Sequence, residues 1–248
     1  MTDRVALPPA ATVHNAAMDQ ASGAGRRMPR LWRQGIAGQN ARGAAVTVMF
    51  VLAGYAASLT YPVLNHGPNR LFLRTGLDTA LPFVPVFVIP YVSMTPLIAV
   101  TTVAFLAMRV RLVRSMALAM TIAWAASYLC YFFFQTYVER PLLVGDDTFT
   151  AAIRAVYAGD NPYNAFPSLH VSLSTILAIH WLRFDRRVGT VVSAWVVLVI
   201  ASTVLIRQHY LADIVGGLVV GVAASRLAWR ALDRECPAPL SVPATTDG

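Results

Sequence analysis

The fold is decided by residues 188–213, which have the sequence VGTVVSAWVVLVIASTVLIRQHYLAD. Residues 188–206 carry no charged side chain and, as a helix, can cross the ~30 Å hydrocarbon core of a bilayer, which takes about 20 residues. Arg207, His209 and Asp213 follow directly. Ionisable groups at membrane depth are costly and usually indicate a functional site. The stretch therefore predicts a membrane-spanning helix that ends beside such a site.

Five other segments can also cross a bilayer. The predicted spans are residues 44–64, 84–108, 115–137, 167–182, 188–206 and 211–232. The fourth is the shortest and contains His170 and His180, but without it the arginine-rich turns on the two sides of the membrane would not alternate. We therefore predict an all-α, polytopic membrane protein with six transmembrane helices in a membrane domain at residues 44–235.

The composition agrees with a membrane protein. Of the 248 residues, 56% are hydrophobic and 13% are charged, whereas an average soluble domain has about 25% charged residues. The 20 basic residues are all arginine and outnumber the 12 acidic ones, so the net charge is +8. They lie in clusters between apolar runs and form no single patch, so a nucleic-acid partner is not expected.

The two ends of the chain lack helical periodicity. Residues 1–43 contain Ala, Gly, Pro and Arg, without the apolar centre and cleavage site of a signal peptide. Residues 236–248 are rich in Pro, Ala and Thr. Both segments are predicted to be disordered tails.

The arginines also orient the spans, because short cytoplasmic loops of membrane proteins carry an excess of basic residues. Fifteen of the twenty arginines fall on one side of the predicted spans. The opposite side has the other five, which are Arg70, Arg74, Arg140, Arg154 and Arg207. We predict a multi-pass protein of the cell (inner) membrane with both termini cytoplasmic. Residues 138–166 and 207–210 would then face the periplasm or the exterior.

The outward side collects the polar residues that can perform chemistry. His209 and Asp213 are four residues apart, which places them on one face of a helix. The carboxylate can hold one ring nitrogen and leave the other as a nucleophile or general base. For an isolated H-x-x-x-D, a buried pair that only joins helix to loop is the more usual explanation. Asp78, on the same side, is predicted to shape the rim of the pocket.

A second polar group opens the fourth span, in the sequence PSLH at residues 167–170. Proline suits the first turn of a helix, where free backbone N–H groups and the helix dipole favour an anion. Ser168 is either a hydroxyl donor to that anion or a plain N-cap, and His170 can donate a proton at neutral pH. Arg140 and Arg207 can each bind phosphoryl oxygens through two hydrogen bonds or anchor a helix end at the headgroups.

Three pieces of sequence, in this order, resemble the type 2 phosphatidic acid phosphatase superfamily, the histidine phosphatases that also include vanadium haloperoxidases. They are Arg-Pro at residues 140–141, PSLH at residues 167–170 and H-x-x-x-D at residues 209–213. The resemblance covers residues 77–225, and its last two motifs together are specific.

The resemblance implies a reaction that uses no metal or other cofactor, in which side chains supply all of the chemistry. The implied roles are His209 as the residue that forms a phosphohistidine, Asp213 as its orienting partner, His170 as the proton donor to the leaving group, and Arg140 and Ser168 as phosphate ligands.

Two positions depart from the commoner pattern of the superfamily. Phe133 stands where a Lys is usual, and Thr203 stands where an Arg is usual. Arg207 is expected to supply the missing charge. These departures, together with NAFPSLH at residues 164–170, look closer to the branch that contains inositol phosphorylceramide synthase, which transfers a phospho-headgroup from one lipid to another acceptor.

The leading hypothesis is a membrane phosphatase that hydrolyses a lipid phosphate ester. A phosphotransferase with the same first half-reaction is the alternative, because no residue identifies the acceptor as water or as a polyol, sugar or lipid hydroxyl. A proton-coupled transporter is a third hypothesis, but it would place charges at mid-span or in paired broken helices, and here they lie at span ends. The expected partners are the bilayer, a lipid phosphate substrate and, for a transferase, a polyol or lipid acceptor.

Overall fold

A computed structural model describes residues 34–65, 67 and 71–234 of the protein. The helices of this part are α1 (Ala41–Leu59), α2 (Tyr61–Leu64), α3 (Gly76–Ala80), α4 (Val88–Met108), α5 (Val110–Phe133), α6 (Thr148–Gly159), α7 (Leu169–Phe184), α8 (Arg186–Leu205) and α9 (Leu211–Arg234). Asn40 caps α1 by accepting a hydrogen bond from the Gly43 N–H. The predicted tails lie outside the described residues, except for the short segment that leads into α1.

Five described helical segments are long and apolar enough to cross a membrane. They are Ala41–Leu64, Pro85–Met108, Val110–Phe133, Arg186–Leu205 and Leu211–Leu232. These segments coincide with five of the six predicted spans and confirm the all-α membrane class. The predicted fourth span is α7, which has 16 residues and is shorter than the about 20 that a full span needs. The count of six therefore remains a prediction.

Helix α7 lies inside the bundle, which accounts for its short length. It packs against α8, α9, α5 and α4. Side chains such as Val171, Ile176 and Leu177 along α7 are almost completely buried. Because neighbouring helices cover most of α7, its length does not need to match the hydrocarbon thickness.

Two glycines of α9 allow that helix to lie close to α7. A Cβ at Gly217 or Gly221 would come within 2.7 Å of the carbonyl oxygen of Ser168 or Ser172, respectively. Small residues at this spacing let helix backbones approach closely in membranes. The N-terminal ends of the two helices, which carry the candidate site residues, are thereby held side by side.

The segment between α5 and α7 covers this end of the bundle. Helix α5 ends at Phe133, a few residues before the predicted end of the third span, because the chain then becomes extended. Thr136 forms an isolated β-bridge with Leu71, and Tyr137 forms one with Tyr163. Helix α6 is amphipathic and buries Ile153 against the start of α4.

Candidate active site

His209 and Asp213 lie together, as their spacing predicts. Nδ1 of His209 is 3.4 Å from Oδ2 of Asp213, whose side chain is fully buried. This distance is longer than a usual hydrogen bond, so the contact is mainly electrostatic. Oδ2 also accepts a hydrogen bond of 2.8 Å from the backbone N–H of Tyr210. The carboxylate is therefore fixed at the start of α9 on the Nδ1 side of the ring, and Nε2 remains for chemistry.

A tight turn after α8 presents His209. The backbone N–H groups of Gln208 and His209 both donate to the carbonyl oxygen of Thr203, at 2.9 and 3.0 Å. Arg207 has a φ of 54°, in the left-handed region that residues other than glycine rarely adopt. Such a conformation persists only where the surrounding structure holds it.

The segment around Asp78 holds Arg207. Nη1 of Arg207 donates to the carbonyl oxygen of Asp78 and Nη2 to that of Leu81, both at 2.6 Å. The Asp78 carboxylate in turn accepts hydrogen bonds from Thr75 and from the backbone N–H of Leu211, the first residue of α9. Burial alone would raise the pKa of Asp78, but these hydrogen bonds and the Arg207 charge outweigh burial and lower it.

Arg207 and Asp78 line a cavity that is separate from the one lined by the histidines. Arg207 therefore supports the His209 turn and faces a neighbouring surface. Its predicted role as a phosphate ligand stays a prediction.

His170 reaches His209 from the start of α7. The two ring centroids are 6.4 Å apart. The backbone N–H of Ser168 donates to the carbonyl oxygen of Asp213 at 3.1 Å and joins the two helix ends. The His170 ring stacks on Tyr91 of α4, with centroids 4.2 Å apart and an interplanar angle of 15°. The sequence analysis missed Tyr91, because an aromatic residue inside an apolar span gives no distinguishing signal.

Ser168 is the N-cap of α7. Its Oγ accepts a hydrogen bond of 3.3 Å from the backbone N–H of Val171, so the helix begins at Leu169. The expectation that Pro167 occupies the first turn is wrong, because the serine satisfies that turn and the proline precedes it. The cap uses an acceptor site of the hydroxyl and leaves its proton available, so the phosphate-binding role of Ser168 stays a prediction.

Arg140 stabilises the turn that presents His209. Nη1 donates to the carbonyl oxygens of Tyr157 and Asp160, at 3.1 and 2.7 Å, and Nη2 donates to Oε1 of Gln208 at 2.7 Å. Gln208 directly precedes His209 in the chain. Nε of Arg140 is buried and has no hydrogen-bond partner among the described residues. Arg140 therefore both positions the His209 turn and keeps one donor unused.

The histidines open into a cavity of about 320 Å³ between α1, α4, α5 and α7. Asp160 and Asn164 lie with His170 and His209 at its polar end. The rest of the lining is mainly apolar and includes Tyr55, Met94, Ile98, Trp124 and Leu173. The cavity thus offers a reactive polar end and an apolar body.

Asp160 is a second residue that the sequence analysis missed. Its carboxylate accepts a hydrogen bond of 2.5 Å from Nδ2 of Asn65. Burial raises the pKa of Asp160, and the positive charge of Arg140 opposes this shift only in part. The available signal was its position, a few residues before the PSLH sequence.

His180 lies at the other end of α7 and has a structural environment. It is fully buried, with Nδ1 2.7 Å from the carbonyl oxygen of Ile176 and Nε2 3.1 Å from Oγ of Ser115. Both ring nitrogens are thus engaged within the bundle. Within the described part of the chain, no group of three or more His, Cys, Asp or Glu side chains is placed to hold a metal ion.

A comparison with protein families gives a match to the PAP2 superfamily over residues 69–227. The match covers more than half of the chain and contains the site residues from Asp78 to Asp213. No curated protein and no solved structure matches the chain. The match is at the level of the superfamily, so the branch that contains inositol phosphorylceramide synthase stays a prediction.

Proposed function

Because the chain belongs to the PAP2 superfamily, we propose that it is an integral membrane phosphatase that hydrolyses a lipid phosphate ester through a phosphohistidine intermediate. One observation carries the proposal: His209 and His170, with ring centroids 6.4 Å apart, lie at the polar end of a cavity whose other walls are mainly apolar. The histidines suit phosphoryl chemistry, and the apolar walls suit the chain of a lipid.

In the proposed first half-reaction, Nε2 of His209 attacks phosphorus and the ester P–O bond breaks. His170 gives a proton to the departing alcohol oxygen. Asp213, beside Nδ1, stabilises the positive charge that the attacking ring gains. The products are a phosphohistidine and a lipid alcohol.

In the second half-reaction, water attacks phosphorus and gives a proton to the now neutral His170. The P–N bond breaks, inorganic phosphate leaves and His209 is regenerated. The phosphoryl oxygens would be bound by the Ser168 hydroxyl, the first backbone N–H groups of α7 and the unused Nε of Arg140. Arg207 would add positive charge beside the site.

A phosphotransferase is the second candidate, and Asp160 favours it. A carboxylate repels phosphate but accepts hydrogen bonds from an alcohol, and Asp160 lines the polar end of the cavity with the histidines. A polyol, sugar or lipid hydroxyl held there would replace water in the second half-reaction. The first half-reaction would be the same.

The proposal places the histidine end at the periplasmic or outer face, with six spans and both termini cytoplasmic. The support is the uneven distribution of arginine along the sequence. A single cysteine at position 147 should react with an impermeant thiol reagent in intact cells. If the cysteine reacts only after lysis, the orientation is opposite to the one proposed.

The decisive experiment uses purified full-length protein and a panel of lipid phosphates, with and without polyol acceptors. Free phosphate and new phospholipid products are both measured. A phosphatase releases phosphate without an acceptor, whereas a transferase forms a new product only when the acceptor is present. If no lipid phosphate in the panel yields either product, the proposal is overturned.

The reaction should also continue in EDTA. The charge neutralisation that Mg²⁺ supplies in many phosphoryl-transfer enzymes would come from arginine and the α7 N-terminus. Complete loss in EDTA, followed by recovery with a divalent cation, would contradict this mechanism.

A further inference from the structure

The cavity that begins at the histidines meets a second, much smaller cavity of about 10 Å³. Gly54, Tyr55 and Met120 line both of them. The rest of the small cavity, which includes Met116 and Thr102, lies farther from the histidines along α4 and α5. The three shared residues therefore form a partition between two apolar spaces.

Contacts between helices hold this partition in place. The hydroxyl oxygen of Tyr55 and Oγ1 of Thr102 are 3.0 Å apart, and this hydrogen bond joins α1 to α4. Gly54 brings α1 close to α5, because a Cβ at this position would be 3.2 Å from the carbonyl oxygen of Ala117. The side chain of Met120 is buried. The partition is thus a packed part of the bundle.

The larger cavity also reaches the outside of the bundle, between α1 and α4. Helix α1 packs against α5, whereas α4 packs against α5 and α8. Tyr55 of α1 and Thr95 of α4 line the cavity and are exposed. Because both helices belong to membrane-spanning segments, this opening faces hydrocarbon. A lipid chain can therefore enter from the bilayer without crossing water.

The spacing of residues along α4 gives the depth of the cavity. Tyr91 stacks on His170 at the polar end, and Ile98 lines the cavity seven residues farther along the helix. At a rise of about 1.5 Å per residue, this separation is about 10 Å. An extended decyl chain has a similar length, whereas an octadecyl chain is much longer. The volume of about 320 Å³ is small for a ligand site and suits a single chain.

We propose that Tyr55 and Met120 determine the chain length of the lipid phosphate that the protein accepts. The substrate would place one apolar chain inside the bundle, with its end against the partition. The phosphate end of this inference rests on the proposed function, and the chain end rests on the cavity. A longer chain must fold back or leave between α1 and α4, and it loses contacts with the apolar walls.

The binding test uses decylphosphonate and octadecylphosphonate, whose C–P bonds the proposed reaction does not break. Full-length protein in a non-ionic detergent receives both at equal concentration, and native mass spectrometry measures the ratio in which they are bound. The wild type should prefer decylphosphonate by about tenfold or more, because a hydrophobic pocket discriminates to this extent against a chain that does not fit. Met120→Ala joins the two cavities and should reduce the preference to about threefold or less.

Met116→Ala is the matched control, because it removes the same side chain one helical turn away. Met116 lines the small cavity and not the larger one, so the partition stays intact and the preference should not change. If Met120→Ala does not fold, Tyr55→Ala replaces it, since Tyr55 is 41% exposed and its truncation removes little buried packing. The detergent is the same in every sample, so partitioning into micelles cancels between variants.

Release of phosphate from decyl phosphate and octadecyl phosphate gives a second measurement, and kcat/KM should follow the same order. Equal binding of the two phosphonates by the wild type would overturn the inference, as would equal losses of preference in Met120→Ala and Met116→Ala. An unchanged preference in the folded partition variant would also overturn it. If neither phosphate is hydrolysed while the phosphonates keep the expected order, the proposed function fails and the chain-length inference stands.

Discussion

The two ends of the helix bundle use arginine in different ways. At the histidine end, Arg140 and Arg207 donate hydrogen bonds to backbone carbonyls, and Arg140 also donates to Gln208. At the opposite end, Arg111 and Arg183 stack on Trp229 beside an open cavity. The first arrangement holds the backbone, whereas the second joins α5 and α7 to α9 through an aromatic ring.

This difference determines what a substitution removes. Loss of an arginine at the histidine end removes both a charge and a support for the turn that presents His209. Loss of Arg183 at the opposite end removes a charge and a contact with the Trp229 ring. Substitutions at the histidine end should therefore lower turnover, whereas those at the opposite end should affect mainly the packing of α5 and α7 against α9.

The largest expected effect separates the two histidines of the cavity, His170 and His209, from His180 at the other end of α7. His209→Ala should lower the turnover number by about 10⁴-fold or more, because the nucleophile is lost. His170→Ala should lower it by about 10²- to 10⁴-fold, because proton transfer is lost. His180→Ala should leave turnover nearly unchanged and lower the unfolding temperature, because its ring only joins Ser115 to Ile176.

The measurement is the rate of phosphate or product release from the best lipid substrate, together with thermal unfolding of each variant. If His209→Ala retains more than about a tenth of wild-type turnover, His209 is not the nucleophile. An equal loss in His180→Ala, with unchanged stability, would show that the two ends of α7 are not as distinct as we infer.

The next effect compares Arg207 with Arg183. Arg207→Ala should lower activity by about 10²-fold, because the turn that presents His209 loses two hydrogen bonds to the Asp78 segment and the nucleophile is displaced. Arg207→Lys keeps the charge but cannot reach both carbonyls as a planar fork, so it should retain part of the activity. Arg183→Ala, at the opposite end, should retain full activity. Steady-state kinetics on one lipid substrate provide the comparison.

If Arg207→Ala is as active as the wild type, Arg207 supports the turn before α9 but has no role in catalysis. Restoration by Thr203→Arg is not expected. Thr203 is fully buried, and its carbonyl oxygen accepts the hydrogen bonds that form the His209 turn. A larger side chain there would disrupt the turn that it is meant to assist.

The sequence was sufficient for the helices that face lipid, because apolar length is a local property. It was less informative for α7, whose short length depends on burial by its neighbours, and for the end of α5, where β-bridges interrupt the helix. The start of α7 was also placed too early. The sequence allows the helix to begin at Pro167 or after Ser168, and only the hydrogen bond from the Val171 N–H to Oγ of Ser168 distinguishes them.

Among the site residues, those with fixed spacing were the easiest to predict. His209 lies in the turn just before α9 and Asp213 in the first turn of that helix, so their contact follows from their short separation in sequence. Tyr91 and Asp160 come from distant segments, and their approach to the histidines depends on how α4 and the α6–α7 connection pack. The engagement of Arg207 with the Asp78 segment is likewise a tertiary contact that no local pattern contains.

The smallest expected effect concerns Asp160, the buried carboxylate of the histidine end. Burial raises its pKa, and the positive charge of Arg140 opposes this shift only in part. A raised folded-state pKa means that the carboxyl group's contribution to stability is fully present below its ordinary pKa of 3.8 and is lost as pH rises through the folded-state value. Relative to Asp160→Asn, which cannot ionise, the wild type should become less stable as pH rises.

Thermal unfolding of both proteins between about pH 4 and about pH 8 tests this sign. Asp147 gives the matched control, because hydrogen bonds from Thr150 lower its pKa. Its contribution is present above the ordinary carboxyl pKa of 3.8 and is lost only as pH falls below that value, so the stability difference between the wild type and Asp147→Asn should stay constant over this range. If the difference between wild type and Asp160→Asn does not change with pH, Asp160 stays charged throughout. The charge of Arg140 and the hydrogen bond from Asn65 would then compensate its burial fully.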